Sequence, residues 1–486
     1  MLTNGTDTLA VAAGASTFTM PASVAYGSPY ALTVQTQPTG LTCTVSNGTG
    51  TMPANDVANI AVTCADNAYT LGGTITGLTA GGLVLANGSD RLTVAAGAAQ
   101  FTMPTAVAYT SSYAVNIARQ PSGLTCAVTN GTGTMPPGNF SGAVVTCAVR
   151  EWTWASGPSN TPNANGVYGT KGTPAAGNMP GSRNLAVSWT DTAGNLWLYG
   201  GYAYNAAGGP NLTDDLWRYS PTSGLWTWMG GSSTVYSLAG VYGTKGTPGP
   251  NNEPGARENA ISWTDAAGNF WMFGGDANSA AYNDLWMYSP PSGQWTWVSG
   301  SNTGNATGVY GTQGTPAAGN VPGARSQAVS WTDTAGNLWL FGGVFNGNSF
   351  NDLWRYSPAS GQWTWVSGSS STNVAGVYGT KGTPAAGNAP GARNYAVSWT
   401  DGTGNLWLFG GQGKDSNGNG GALNDLWQYS PSSNKWTWLS GSSTINANGV
   451  YGTKGTPAAG NAPGARDNAV SWTDGAGNLW LFGGQG

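Results

Sequence analysis

The 486-residue chain contains no histidine, and only 7% of its residues are charged. The sequence therefore lacks the commonest general acid or base at neutral pH, the histidine of a Ser-His-Asp triad and the commonest nitrogen ligand of metals. A formal net charge of -4 provides no basic field for a phosphate backbone, so nucleic acid is not an expected partner. No stretch approaches the roughly 18 consecutive apolar residues of a membrane-spanning helix, and we expect no membrane insertion.

Cysteine is also scarce, but its spacing is regular. Cys43 and Cys64 are 21 residues apart, and so are Cys126 and Cys147. Two equal loops predict two equivalent disulfides, each stabilising the fold by about 3 kcal/mol through the unfolded chain. Because disulfides persist in oxidising compartments, we expect a secreted or cell-surface protein. Four buried free thiols are the alternative.

The first 150 residues contain a duplicated segment. MLTNGTDTLAVAAGASTFTM, ending at Met20, returns as VLANGSDRLTVAAGAAQFTM, ending at Met103, and the cysteines repeat at the same offset. Short alternating runs broken by NG and Pro predict small β-sandwiches at 1–67 and 68–150. They resemble the tandem immunoglobulin-like repeats of bacterial surface proteins. Since nothing before Met1 matches YTLGGTITGL at Tyr69, we expect a fragment that starts within its first module and carries no signal sequence.

A second repeat begins at Glu151. Each unit reads PG(A/S)R, AVSWTD, AGN, NLWLFGG, a variable loop, NDLWRYSP, SG and QWTW, which predicts four strands. The LWLF runs are apolar on both faces, as in strands enclosed between neighbouring sheets, and radial stacking of sheets provides this burial. The paired tryptophans that mark the units are Trp152/Trp154, Trp226/Trp228, Trp295/Trp297, Trp363/Trp365 and Trp436/Trp438.

A glycine doublet, a tyrosine and the tryptophan pair follow one another in each complete unit, and in this order they resemble kelch repeats. The doublets are Gly200/Gly201, Gly274/Gly275, Gly342/Gly343, Gly410/Gly411 and Gly483/Gly484, and the tyrosines are Tyr219, Tyr288, Tyr356 and Tyr429. The resemblance covers about two-thirds of the chain. It implies an all-β fold in which residues 151–486 form a kelch-type propeller, with about five four-stranded blades and the last one incomplete.

Some kelch proteins are copper radical oxidases with a site of tyrosines, histidines and a cross-linked cysteine. That activity is not carried over, because the chain has no histidine and no cysteine after Cys147. A sialic-acid epimerase, also found on this fold, is favoured by no residue here. We therefore expect no catalytic residue, no enzyme activity and no cofactor.

Two regular sets of aspartates are interpreted as turn caps rather than catalysts, because Asp at a strand end accepts local backbone hydrogen bonds. They are Asp191, Asp265, Asp333, Asp401 and Asp474 in WTDxxGN, and Asp215, Asp284, Asp352 and Asp425 in NDLW, which reads DDLW in the first unit.

One arginine per unit precedes the first strand. A set of guanidinium groups around a channel mouth could bind carboxylates or sugar hydroxyls, whereas the alternative is that each arginine braces its own blade through loop carbonyls or an aspartate. The five residues are Arg183, Arg257, Arg325, Arg393 and Arg466.

One loop has the oxygen spacing that opens a calcium-binding EF-hand. It contains Asp415, Asn417 and Asn419 followed by Gly420, but its twelfth position is Leu426 rather than Glu. Calcium is therefore a weak expectation beside an ordinary Asn/Gly loop.

Because strands alternate in direction, the variable loops and the long GVYGTKGTPAAGN links are expected on one face, with the short AGN and SG turns on the other. We predict ligand binding on the variable face by the arginines and by Tyr202, Tyr204, Asp276, Asn278, Phe345, Asn346, Lys414 and Asp415. The expected function is an extracellular or cell-surface adhesion module for a glycan or a protein. A structural display stalk and a carbohydrate-active enzyme are the alternatives.

Overall fold

A computed structural model describes residues 1–121, 123–149, 154–474 and 477–486. All regular secondary structure in these ranges is β-strand, which confirms the all-β fold class. The chain divides into two compact units, Met1–Trp154 and Ala155–Gly486. Trp152 and the predicted boundary at residues 150 and 151 lie outside the described residues, and the division of the first unit at residue 67 stays a prediction. No described helix has the length and apolarity needed to cross a membrane.

Residues 68–149 form two four-stranded sheets around one core. Strand order is β10-β9-β13-β15 in one sheet and β11-β8-β16-β14 in the other, and β7 pairs with β12. Apolar residues alternate along the strands, so the inward faces of both sheets bury Leu71, Leu85, Val115 and Val145 together. The strands are β7 (Ala68–Tyr69), β8 (Leu71–Thr76), β9 (Leu83–Asn87), β10 (Asp90–Val94), β11 (Gln100–Thr102), β12 (Val107–Ala108), β13 (Ser112–Arg119), β14 (Leu124–Thr129), β15 (Thr132–Thr134) and β16 (Phe140–Val149).

The first 66 residues repeat this arrangement with fewer strands. One sheet has the order β2-β1-β3-β5, and the second contains only β4 and β6. Both disulfides join direct cross-strand partners, Cys43 with Cys64 and Cys126 with Cys147, which confirms the predicted pairing. They are consistent with an oxidising environment. The strands are β1 (Leu2–Asn4), β2 (Asp7–Leu9), β3 (Pro29–Val34), β4 (Leu41–Ser46), β5 (Thr49–Thr51) and β6 (Ala61–Asp66).

The second unit consists of consecutive antiparallel sheets, here called repeat sheets one to five. The first four each contain the four predicted strands, and the fifth contains two. Repeat sheet one has β17 (Arg183–Asn184), β18 (Val187–Thr190), β19 (Leu196–Tyr204), β20 (Pro210–Ser220) and β21 (Leu225–Gly230). Repeat sheet two has β22 (Ile261–Thr264), β23 (Phe270–Phe273), β26 (Leu285–Ser289) and β27 (Gln294–Ser299), with the small hairpin β24 (Asp276–Ala277) and β25 (Ala280–Ala281).

The later repeat sheets follow the same plan. Repeat sheet three has β28 (Val329–Thr332), β29 (Leu338–Phe341), β32 (Leu353–Ser357) and β33 (Gln362–Ser367), with the hairpin β30 (Val344–Phe345) and β31 (Asn348–Ser349). Repeat sheet four has β34 (Arg393–Asn394), β35 (Val397–Thr400), β36 (Leu406–Lys414), β37 (Gly420–Ser430) and β38 (Lys435–Ser440), and repeat sheet five has β39 (Val470–Thr473) and β40 (Leu479–Phe482).

Successive repeat sheets pack face to face through aromatic side chains. Trp189 and Trp197 of sheet one share a buried cluster with Phe270 and Trp286 of sheet two, and equivalent clusters join sheets two to three, three to four and four to five. Strands β18, β22, β28, β35 and β39 contact one another in that order. The expected sandwiching of apolar strands is thus present for the consecutive sheets. Closure of the fifth sheet onto the first is not found among the described residues.

The glycine doublets bring neighbouring sheets together. In the first four doublets the second glycine donates its N–H to the carbonyl of the arginine in the next sheet, for example Gly275 to Arg325 at 3.0 Å. A Cβ built on Gly274 would lie 2.5 Å from the same carbonyl oxygen. Only glycine fits where the two backbones lie this close together, and both Gly274 and Gly275 have positive φ.

The long links begin beside the variable loops, where Gly376 donates its N–H to the Asp415 carbonyl, and then leave that face. In repeat sheets one to four the link then runs back along the outermost strand of its own sheet: Gly382 donates its N–H to the Trp438 carbonyl, and Ala385 pairs with Trp436. Lys381 lies 4.4 Å from the centroid of the Trp438 ring. A sheet edge left bare would expose unpaired backbone groups, and the link covers them.

Candidate functional site

Outside the variable loops, the repeats also differ at two adjacent positions within an otherwise almost constant motif. Between PG(A/S)R and the following strand, each repeat inserts a different pair of residues: NL, EN, SQ, NY and DN. The first residue of the pair lies opposite the residue that follows the glycine doublet, as Glu258 does opposite Asp276. We call these positions the variable rim: 184–185, 258–259, 326–327, 394–395 and 467–468, with the facing residues 202, 276, 344, 412 and 485.

A run of backbone hydrogen bonds joins the variable rim from sheet to sheet. The N–H of Asn259 donates to the Leu185 carbonyl, Gln327 to Asn259, Tyr395 to Gln327 and Asn468 to Tyr395, over 3.0–3.1 Å. All five residues have φ between 51° and 57°, a left-handed conformation that costs non-glycine residues about 1 kcal/mol or more. Because these bonds involve only the backbone, side chains at the rim can differ while its geometry is kept.

The negative charges of three carboxylates act on Tyr395 of the variable rim. Burial raises the pKa of Tyr395, and the negative charges of Asp276, Glu258 and Asp467 raise it further. Burial also raises the pKa of Glu258, with the charge of Asp276 adding to it, and burial raises the pKa of Asp276 despite a hydrogen bond from Ser326. The four ion pairs within the described residues involve none of these carboxylates. The rim is therefore anionic around an aromatic ring.

One amide on the rim has unused hydrogen-bonding capacity. Asn394 donates through Nδ2 to Oε1 of Gln327 at 3.2 Å, while its Oδ1 is buried and has no protein partner among the described residues. A buried acceptor without a donor costs free energy. None of Glu258, Gln327, Asn394, Tyr395 and Asp467 was predicted from the sequence, although the variable pair in an otherwise constant motif could have revealed them.

The predicted loop residues occupy two kinds of position. Tyr202 is on the rim with 43% of its surface exposed, and Asp276 is the rim residue already described. Asn278 and Asn346 occupy tight hairpin turns with φ of 49° and 47°, which is a local reason for asparagine there. Three further predicted residues are half-buried, each as the last paired residue before the hairpin turn of its own sheet: Tyr204, Phe345 and Lys414.

Asp415 is almost fully buried and closes its own hairpin. Its Oδ1 accepts the N–H groups of Asn417 and Asn419, and its Oδ2 lies 3.4 Å from the Ile445 N–H. Burial opposes ionisation of Asp415, but the combined effect of these hydrogen bonds is larger, so the pKa of Asp415 is lowered. The carboxylate thus acts as a turn cap, and calcium binding by this loop stays an untested prediction.

The five arginines brace their own sheets. In repeat sheets one to four the guanidinium forms a bidentate pair with the NDLW aspartate, as Arg325 does with Asp352 at 2.6 and 2.8 Å, and it also donates to the Gly342 carbonyl. Both side chains of this pair are 0% exposed. A ligand cannot reach a guanidinium enclosed in this way, so the geometry favours bracing over the ligand-binding interpretation. Arg183, Arg257 and Arg393 are paired likewise with Asp215, Asp284 and Asp425, and Arg466 donates to Gly464, Gly483 and Tyr451.

Each NDLW aspartate of these sheets is saturated with donors. Asp425 accepts both Arg393 hydrogen bonds, the hydroxyl of Tyr378 at 2.6 Å and the indole N–H of Trp427 at 2.7 Å. Burial opposes ionisation, but the charge and hydrogen bonds of Arg393 hold the pKa of Asp425 below its usual range. Tyr378 comes from the long link, so this network fixes the link, the third strand and the glycine doublet to one another. The carboxylate has no capacity left for catalysis.

The WTDxxGN aspartates cap their turns. Asp333 Oδ1 accepts the N–H groups of Ala335 and Asn337, and Oδ2 accepts the indole N–H of Trp339 at 2.8 Å. The same set of donors recurs at Asp191, Asp265 and Asp401. These contacts support the interpretation of this set as structural.

Comparison with known proteins does not assign the chain to a family. No family model matches the sequence, and no curated protein matches it. Among solved structures, the chain is similar to one described as the structure of YjhT, with 13% sequence identity and a TM-score of 0.39. The similarity covers 64% of this chain and 79% of that one. At this level it establishes neither a family nor a shared function.

Proposed function

We propose that the chain is a non-catalytic binding module of an extracellular or cell-surface protein. Its second unit would be a kelch-type propeller that presents the variable rim and the adjoining hairpins to a glycan or a protein. One observation carries the proposal: nearly identical sheets differ at residues that lie on one continuous, backbone-linked rim. Folding stability does not require sequence differences between the sheets at this rim, whereas recognition of an asymmetric ligand would require them.

The chemistry of the rim suits a ligand rich in hydroxyl or amino groups. Glu258, Asp276 and Asp467 are hydrogen-bond acceptors without ion-pair partners among the described residues. Tyr395 and the exposed ring of Tyr202 offer faces on which a sugar ring or an apolar side chain can stack. The two disulfides are consistent with an extracellular setting.

The test uses the full chain on a printed glycan array and on an array of extracellular proteins. A rim variant carries Glu258→Gln, Gln327→Ala and Tyr395→Ala. A matched control carries Ser292→Ala, Thr334→Ala and Ser360→Ala in exposed turns on the opposite side.

We expect retention on at least one array by the wild-type chain and the control. The rim variant should lose it by about tenfold or more, because a few central residues dominate binding energy. Melting followed by tryptophan fluorescence should stay cooperative in all three proteins, with a lower midpoint only in the rim variant, because Asn394 loses its acceptor on Gln327. Equal retention by the rim variant, or no retention of the wild type on either array, would reject the proposal and leave the display stalk. Turnover of an arrayed sugar would instead identify an enzyme.

A further inference from the structure

In residues 68–149, the first long strand and the last strand lie side by side and run in the same direction. Strand β8 pairs parallel with β16, with Thr74 opposite Val144 and Thr76 opposite Thr146. The other described strand pairs of this segment are antiparallel. The chain therefore enters at the start of β8 and leaves at the end of β16, which are opposite ends of one parallel pair.

Tension along the chain loads this pair in shear. Force that arrives from residue 67 pulls β8 toward its start, and force that arrives from the second unit pulls β16 toward its end. Because the strands are parallel, the two pulls slide one strand along the other, and the hydrogen bonds between them share the force and break together. If the two strands were antiparallel, the chain would enter and leave at the same end, and the bonds would break one after another.

The parallel pair is closely packed and enclosed. A Cβ built on Gly73 would lie 1.8 Å from the Ala143 carbonyl oxygen, so glycine is what allows β8 to lie this close to β16. Leu71 and Val145 are 0% exposed, and Ile75 is buried with them in one cluster. Water therefore cannot compete for the hydrogen bonds at this place, and sliding of β8 would expose apolar surface at the same time.

The second disulfide determines which strand separates first. Cys147 directly follows Thr146, the last residue of β16 that pairs with β8, and it is bonded to Cys126 of β14. Strands β14 and β16 are thus joined covalently as well as by their antiparallel pairing. Force that enters through the end of β16 is shared with β14 before it reaches the parallel pair, so β8 is the strand that must slide.

We propose that residues 68–149 carry tension between residues 1–67 and the second unit. The parallel pair of β8 and β16 is the shear-resistant element, and the bridge from Cys126 to Cys147 is its brace. The role of this segment is to stay folded while the chain is pulled from both sides. This inference depends on the topology of residues 68–149 and is independent of the function proposed for the variable rim.

The test is single-molecule pulling of the full chain in magnetic tweezers at constant force, with one handle at each terminus. The double variant Cys126→Ala/Cys147→Ala identifies the unfolding step of residues 68–149. That step should gain about 75 Å of contour length, from 21 residues at roughly 3.6 Å each, or disappear if the variant does not fold. A second tether moves the first handle to the exposed Thr79, just after β8, and so pulls the parallel pair apart from one end.

We expect the lifetime of the folded segment at a given force to fall by about tenfold or more when the handle is moved to Thr79, because the bonds then break in sequence. Between the terminal handles, Val145→Ala in β16 should shorten the lifetime by about tenfold, whereas Val115→Ala in β13 of the other sheet should change it by less than about threefold. Both valines are buried in the same core, so the calorimetric melting temperature of the first unit should fall similarly in both variants.

Equal lifetimes with the two tethers would overturn the proposal, and so would equal shortening by Val145→Ala and Val115→Ala. Unfolding of residues 68–149 at a lower force than every other segment of the chain would also overturn it. If Val145→Ala does not fold, the comparison of the two tethers still decides, because it requires no substitution in the core.

Discussion

A buried carboxyl group, Asp214, distinguishes the first repeat sheet from the three that follow. The equivalent residue is asparagine in sheets two to four, and in sheet two Asn283 accepts the Ser301 N–H and donates to the Pro322 carbonyl. Asp214 accepts the equivalent N–H of Ser232, but an ionised carboxylate has no hydrogen to donate.

The first sheet supplies the missing donor from another residue. The hydroxyl of Tyr199 donates to the Pro254 carbonyl at 2.5 Å, whereas Phe273, at the same place in sheet two, has no hydroxyl. Burial raises the pKa of Asp214 to about 6, and the charge of Asp215 adds to this. Burial and the charge of Asp214 also raise the pKa of nearby Glu253, to about 7.

We predict that Asp214→Asn stabilises the second unit at neutral pH. A rise from the ordinary pKa of 3.8 to about 6 corresponds to about 3 kcal/mol of penalty on the ionised form. Because Tyr199 already occupies the carbonyl that the new amide would bind, part of this gain is lost, and we expect about 1–3 kcal/mol.

The dependence on pH follows from the sign of the pKa change. A carboxyl group whose pKa is raised by folding contributes most stability below its unfolded pKa, and this contribution is lost as pH rises through the folded value. The difference between Asp214→Asn and the wild type should therefore be near zero at pH 4 and complete above pH 7. Folding raises the pKa of Glu253 in both proteins, so the stability of both should still decrease somewhat as pH rises.

The measurement is urea unfolding at several pH values between 4 and 8, followed by tryptophan fluorescence. The reciprocal variant Asn283→Asp provides a matched control, because Phe273 cannot replace the lost donor. At pH 7, Asn283→Asp should lower the free energy of unfolding by more than Asp214→Asn raises it. At pH 4 the loss caused by Asn283→Asp should be smaller than at pH 7. A pH-independent effect of Asp214→Asn, or a loss of stability at pH 7, would refute the reasoning.

Three further predictions concern the contacts that hold the units together. Gly274→Ala should lower the stability of the second unit by about 1–3 kcal/mol, since its Cβ meets the Arg325 carbonyl, whereas Gly314→Ala, also at positive φ but with open space around it, should cost less in the same urea titration. Arg325→Met should cost about 3–5 kcal/mol by leaving the carboxylate of Asp352 buried and unpaired, and Arg466→Met should cost far less; equal effects would contradict the bracing interpretation. Reduction of both disulfides should destabilise the first unit by about 3 kcal/mol per bridge in differential scanning calorimetry, while tryptophan fluorescence melting stays unchanged.

Much of the architecture was predictable because it depends on local patterns. The continuous apolar LWLF runs, the glycine doublets and the spacing of the tryptophan pairs predicted the strands and their order within each sheet. Equal cysteine spacing predicted the two disulfides. These features involve residues in one strand or in adjacent strands, where periodicity of two and turn chemistry dominate.

The candidate site was less predictable. The sequence showed a recurring arginine and could not show that Arg325 ends 0% exposed against an aspartate 27 residues later. It also showed variable loops but gave no reason to group Glu258 with Asp276 and Tyr395, which come from three repeats and approach one another only through sheet stacking.

The amino-acid sequence by itself determined the strands, the repeat period, the disulfides and the absence of imidazole chemistry, because each follows from residue type and short-range spacing. Only the tertiary structure decided which repeated polar groups are enclosed and which remain at the surface. Stacking one sheet on the next buried the arginine and aspartate pairs and left the variable rim partly exposed, while the long links of the first four sheets run along the outer strands. Burial of this kind depends on the neighbouring sheet, which short-range sequence patterns do not encode.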